Sequence, residues 1–225
     1  MIGVCIPAHN EEDTVQACLA SIRKACMHPG LKGERVVAVL VLDSCTDRTA
    51  EYAGPSRVAQ LRVACRNVGQ ARAVGADYLI AAGARWLAFT DADTTVSTSW
   101  LADQLSLQAA AVCGTVGVAD WTGHGRHAHE AKWHFQSAYR DRDGHRHIHG
   151  ANLGIASDAY LRAGGFRALA CHEDRDLVER LERAGETIAW SALPRVSTSA
   201  RPYSRVAEGF AAALREGWDS DEKAA

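Results

Sequence analysis

Two aspartates one residue apart, Asp91 and Asp93, close the run Trp86-Leu-Ala-Phe-Thr-Asp-Ala-Asp93. Carboxylates placed this way are hard oxygen donors. In an extended segment, residues i and i+2 project to the same side, so both could serve one Mg²⁺ or Mn²⁺ ion. Such a cation suits a phosphate-bearing substrate. The plainer reading is that Asp91 caps the following turn and Asp93 is solvated, because Asp is a favoured turn residue. A second carboxylate pair, Glu173-Asp174, follows His172 and opens a stretch with Leu177, Val178, Leu181 and Ala184 on one helical face. Acids favour helix N-termini, so capping accounts for that pair when it is taken alone. Two further polar clusters, Pro7-Ala-His-Asn-Glu11 and Asp43-Ser-Cys-Thr-Asp47, each sit where an apolar run stops. Their recurrence shifts the balance towards a functional edge.

The elements that must position these groups follow from periodicity. Apolar runs at residues 2–7, 35–42, 58–64 and 86–90 suit buried strands, with further strands at 112–118, 150–155 and 186–190. Asn10 serves as an N-cap with acids in the first turn, ahead of Val15, Cys18, Leu19, Ile22 and Cys26 at helical spacing. Further helices are expected over 67–82, 99–110, 158–163, 174–184 and 206–215. Strand and helix alternate, which predicts an α/β fold with a mostly parallel sheet flanked by helices. In such a sheet ligands bind beyond the carboxyl ends of the strands, where the polar clusters fall.

Residues 120–150 break the pattern. Seven of the ten histidines lie there, together with Trp121, Trp133 and Tyr139. This reads as a loop-and-helix excursion. His124-x-x-His127-x-His129 could bind zinc in principle, but no cysteine pair completes a site, and histidines without fixed ligand spacing more often line a polar surface.

The chain as a whole sets bounds. Its 225 residues, 47% hydrophobic and 23% charged, suit one globular domain. We divide it into residues 1–119, residues 120–218 and a polar tail at 219–225. A formal charge of −2 gives no global field for nucleic acid or an anionic membrane. Seven scattered cysteines with no C-x-x-C pair read as reduced thiols, and no apolar run approaches a membrane span. A soluble cytoplasmic protein is the expectation, and a homodimer is compatible with it.

Taken in order, Ile-Pro-Ala-His-Asn-Glu-Glu, Leu-Asp-Ser-Cys-Thr-Asp-Arg-Thr, Arg-Asn-Val-Gly, Asp-Ala-Asp and His-Glu-Asp-Arg-Asp-Leu resemble a family 2 glycosyltransferase of the GT-A fold. The resemblance covers about residues 2 to 201 and implies a nucleotide-sugar-binding half at 1–119 and an acceptor-binding and catalytic half at 120–218, with the histidine-rich segment recognising the acceptor. It implies a Rossmann-like sheet and a UDP- or GDP-sugar donor, with Pro7, Asn10, Glu11 and Asp43 around the nucleoside. It also implies that Asp91 and Asp93 hold ribose and a Mn²⁺ or Mg²⁺ ion, mainly through Asp93. Arg72 falls where such enzymes have an Ala-Arg-Asn segment, here Ala71-Arg72-Ala73, and counts with the nucleotide-sugar residues. Arg201 follows Ser197-Thr-Ser-Ala, where related enzymes have a mobile loop over the diphosphate.

By the same resemblance Asp174 is the general base of an inverting transfer to an acceptor hydroxyl. His149, Asn152, His172 and Glu173 fall on the acceptor side as accessory residues. The Gln-x-x-Arg-Trp motif and membrane helices of processive synthases are missing, so single addition is implied. The alternatives are a nucleotidyltransferase acting on a sugar phosphate, which would want a Gly-rich phosphate loop after the first strand, and a nucleotide-sugar-binding protein without catalysis.

Overall fold

The structure, a computed structural model, describes residues 1–200. The expected helix at 206–215, the tail and Arg201 lie outside the described residues. Strand β1 (Ile2–Ala8) is buried along its whole length and sits at the centre of the first half. It pairs in parallel with β2 (Val36–Asp43) on one side and β4 (Trp86–Phe89) on the other, and β2 pairs in parallel with β3 (Ala59–Val63).

Beyond β4 the directions mix. Strand β7 (Leu153–Ala156) is antiparallel to both β4 and β6 (Ala111–Val118), while β6 runs parallel to β8 (Ile188–Thr198), which pairs antiparallel with the short β5 (Thr94–Val96). The order is β3-β2-β1-β4-β7-β6-β8-β5. Among the described residues four of the seven pairings are parallel. The sheet is thus mixed, parallel from β3 to β4 and with its antiparallel pairings beyond β4.

Because side chains alternate along a strand, each strand of the first half feeds two cores. Val4 and Ile6 point to the face covered by α1 (Val15–Cys26), α2 (Thr49–Ala53) and α4 (Trp100–Ser106), where Leu19, Ile22, Trp100 and Leu101 pack. Cys5, Val39 and Val41 point to the other, where α3 (Val68–Ala81), α6 (Ser157–Arg162) and α7 (Glu173–Arg183) supply Leu79, Tyr160, Leu177 and Leu181.

The excursion at 120–149 contains a 3₁₀ turn at Thr122–His127 and a helix, α5 (Ala128–Ala138). It closes a small core of its own from Trp121, Ala131 and Ala200, with Phe135 against it.

Three local expectations change. Asn10 does not cap α1, which begins four residues later than a helix capped there would. Its φ of 54° is left-handed, and its side-chain oxygen instead accepts the N–H of Thr46 at 2.8 Å, tying the β1 end to the β2 end. Strand β8 runs on past Trp190 through a bulge opposite Gly114 and Thr115, so Ser197 and Thr198 are paired strand residues rather than a mobile loop. The helix expected over 99–110 is one short element, Trp100–Ser106.

Candidate active site

The carboxyl ends of β1, β2 and β4 converge on one edge, and the N-terminus of α7 faces them through Arg72. Asp43, the last residue of β2, is 5% exposed. Its carboxylate accepts the N–H groups of Cys65 (2.8 Å), Arg66 (2.9 Å) and Asn67 (2.8 Å) and the hydroxyl of Ser44 (3.0 Å). Burial alone would raise its pKa, but these donors to the charged form hold it below the ordinary carboxylate range. The same loop delivers Asn67 as the N-cap of α3, its side chain accepting the N–H of Gln70 at 2.9 Å.

Pro7 is buried inside β1, and the turn after it reaches the edge. There His9 Nδ1 lies 2.7 Å from the Asp43 carbonyl oxygen, and the Glu11 N–H donates to Thr49 Oγ1 at 2.7 Å. Asn10, Glu11 and Asp43 are therefore brought together, with Asp43 committed to its own loop.

The Asp91-Ala-Asp93 segment is a turn, closed by the Thr94 N–H on the Asp91 carbonyl at 3.1 Å, so the same-side argument for an extended chain does not apply. Asp91 Oδ1 accepts from Arg72 Nη2 at 2.6 Å, and burial, opposed by Arg72 and reinforced by Asp93, pushes its carboxyl upward. Asp93 Oδ1 faces the hydroxyls of Thr94 (3.3 Å) and Thr198 (3.5 Å). No group of three His, Cys, Asp or Glu residues able to hold a metal occurs among the described residues, which also leaves His124, His127 and His129 without a zinc site. A hard cation that takes the rest of its oxygens from water and phosphate needs only one or two carboxylates, and Asp93 with its hydroxyl neighbours fits that demand.

Asp174 lies in the first turn of α7. Its Oδ2 accepts the Gly150 N–H at 2.8 Å and its Oδ1 the Arg175 N–H at 2.8 Å. Glu173 does more than cap: it is 6% exposed and pairs with Arg72 Nη1. Burial raises its pKa against the pull of Arg72, and Asp174 adds to the rise.

His149 Nε2 is 2.9 Å from the Tyr139 hydroxyl, which accepts the Val116 N–H at 2.8 Å. Burial lowers the His149 pKa to about 4 against the opposing pull of Asp174. His172 is exposed and takes a left-handed φ of 60° at the head of α7.

Asn152 lies inside the fold. Its amide is fully buried, donating to the carbonyls of Thr115 (2.7 Å) and Pro194 (2.9 Å) and accepting from Trp100 Nε1 (2.9 Å). It ties the β8 bulge to β6 and to Trp100. Sequence reasoning missed Tyr139 in its contact with His149, and it missed the pairing of Arg72 with Glu173. An arginine one place from the small face of Ala71, Gly75 and Leu79 was the one available signal for the second.

The model of the family described as "Glycosyl transferase family 2" matches residues 3–161. The chain belongs to that family. No curated protein matches it. Among solved structures, this family 2 domain is similar to S. aureus TarS 1-349 in complex with UDP-GlcNAc, with a TM-score of 0.67 and 15% identity over 93% of this chain and 61% of that one. It is also similar to the mannosyltransferase PcManGT from Pyrobaculum calidifontis in complex with GDP-Man and Mn2+, with a TM-score of 0.65 and 16% identity over 91% of this chain and 57% of that one. These likenesses place the domain in the GT-A fold. The chain thus spans about three fifths of the length of these neighbours. No helix among the described residues is long and apolar enough to cross a membrane.

Proposed function

We propose that the domain transfers a sugar from a nucleotide-diphosphate sugar to an acceptor hydroxyl, with Asp174 as general base. The observation that carries this reading is the Asp91–Arg72–Glu173 bridge, which sets the Asp-Ala-Asp turn at the β4 end against the helix start that bears Asp174. Nucleotide and diphosphate would lie over the ends of β1, β2 and β4, as ligands do in open α/β sheets. The bound UDP-GlcNAc and GDP-Man of the two structural neighbours make UDP- and GDP-sugars the donors to try first.

In the reaction an Asp174 oxygen takes the proton of the acceptor hydroxyl as that oxygen bonds to the anomeric carbon. The bond from that carbon to the diphosphate oxygen breaks, and its electron pair leaves with the nucleoside diphosphate. Two backbone N–H groups orient the Asp174 carboxylate while leaving part of its roughly four acceptor positions for the proton. Displacement from the opposite face inverts the anomeric configuration. Mn²⁺ or Mg²⁺ held through Asp93 would supply Lewis-acid stabilisation to the departing diphosphate. Neutral His149 and exposed His172 stand on the acceptor side.

The test is a panel of UDP- and GDP-sugars with Mn²⁺, following release of the nucleoside diphosphate and the anomeric configuration of the product. Release that disappears in EDTA, is largely lost in Asp93→Ala and gives inverted product is expected. Metal-independent release would remove the cation from the mechanism, and a retained configuration would rule out single displacement.

A further inference from the structure

Arg72 lies in α3 at 3% exposure, yet its guanidinium joins two distant elements. Nη2 donates to Asp91 at the β4 end at 2.6 Å, and Nη1 donates to Glu173 at the head of α7. The group lies over the Phe166 ring, 5.7 Å from its centroid. Backbone approaches closely around the bridge. A Cβ on Gly150 would stand 2.3–2.5 Å from the guanidinium atoms, and one on Gly69 would stand 2.2 Å from the Arg167 carbonyl and 3.1 Å from Glu173 Cβ. With both terminal nitrogens on carboxylates, its Nε without a hydrogen-bond partner and the group buried, Arg72 is engaged inside the protein.

We propose that Arg72 is a positioning residue: by bridging Asp91 and Glu173 it fixes the first turn of α7, and hence Asp174, against the turn that receives the donor diphosphate. This rests on the reading of Asp174 as the base.

Three features support it. The single guanidinium is acted on by Asp91, Glu173 and Asp174 together, so carboxylates outnumber it, and desolvation offsets much of the attraction in a buried pair. What the bridge supplies is geometry more than stability. The entry to α7 also needs outside support: His172 is left-handed without being glycine, and its side chain makes no cap hydrogen bond to the helix. Finally, Gly150 abuts the Arg72 guanidinium while its N–H holds Asp174 Oδ2, so Arg72 touches both the helix and the loop that orient the base.

The experiment compares wild type with Arg72→Met/Glu173→Leu, which replaces the pair by apolar groups and leaves no lone charge on α7, and with Arg72→Lys, which keeps the charge but cannot fork. Three quantities are read: Kd for UDP or GDP with Mn²⁺, the kcat of donor hydrolysis with water as acceptor, and hydrogen exchange at the Gly150 amide. Both variants should keep nucleotide affinity, lose about a hundredfold in kcat, and exchange Gly150 about tenfold faster while β1 and β2 amides stay protected. Wild-type kcat or wild-type Gly150 protection in the folded double variant overturns the proposal. Should that variant not fold, the same outcomes in Arg72→Lys decide. If wild type hydrolyses no donor, the base reading fails, and Gly150 exchange alone then judges the bridge.

Discussion

Asp43, at the end of β2, and Asp174, in the first turn of α7, are two carboxylates that the structure employs in opposite ways. Asp43 is closed off by four donors, three of them backbone N–H groups of the 65–67 loop, and it shapes the entry to α3. Asp174 receives two and keeps acceptor capacity. A carboxylate at a strand end is therefore not in itself a ligand for substrate. The number of donors it already holds separates a group that builds the site from one that can take a proton.

The largest effect expected from this contrast is at Asp174. Asp174→Asn keeps the shape and much of the hydrogen bonding, so the melting temperature and the Kd for UDP or GDP should stay at wild-type values. Donor hydrolysis and transfer should fall by about 10²–10⁴-fold, the usual contribution of a general base. Near-normal turnover in that variant would end the assignment.

The converse holds at Asp43. Asp43→Asn puts an NH₂ group among three backbone N–H donors and leaves buried donors unmatched, at a cost of about 1–3 kcal/mol. For a domain of this size that is roughly 2–4 °C of melting temperature per kcal/mol. Calorimetry showing an unchanged melting temperature, with lost nucleotide binding instead, would move Asp43 from the scaffold to the ligand.

The smallest effect concerns His149, whose pKa is lowered to about 4 from an ordinary 6.5. The unfolded chain then binds the proton more readily than the folded one, so the neutral imidazole adds stability that is full above pH 6.5 and declines as the pH falls towards 4. The slope of melting temperature against pH between 4 and 6.5 should be shallower in His149→Asn than in wild type. Equal slopes would show that burial does not hold the ring neutral.

Much of the frame was legible because it is written in local periods. The apolar runs at 2–7, 35–42 and 86–90, which form β1, β2 and β4, the helical face of Leu177, Val178 and Leu181, and Gly185 just past the end of α7 at φ 76° each announce an element within a few residues of themselves. The polar strand ends, the order of the motifs and hence the family could be read from the same information. The direction of β7 and the continuation of β8 through its bulge could not, because strand pairing depends on which segments meet across the sheet.

The employment of each polar side chain belongs to the tertiary structure alone. Arg72 meets Asp91 from 19 residues away and Glu173 from 101, and Asn152 spends its amide on carbonyls 37 and 42 residues distant. A carboxylate or amide reads the same in sequence whether its acceptor positions are filled or open. Only the folding of remote donors onto it decides between the two, because a buried polar group must find its partners wherever the chain happens to place them.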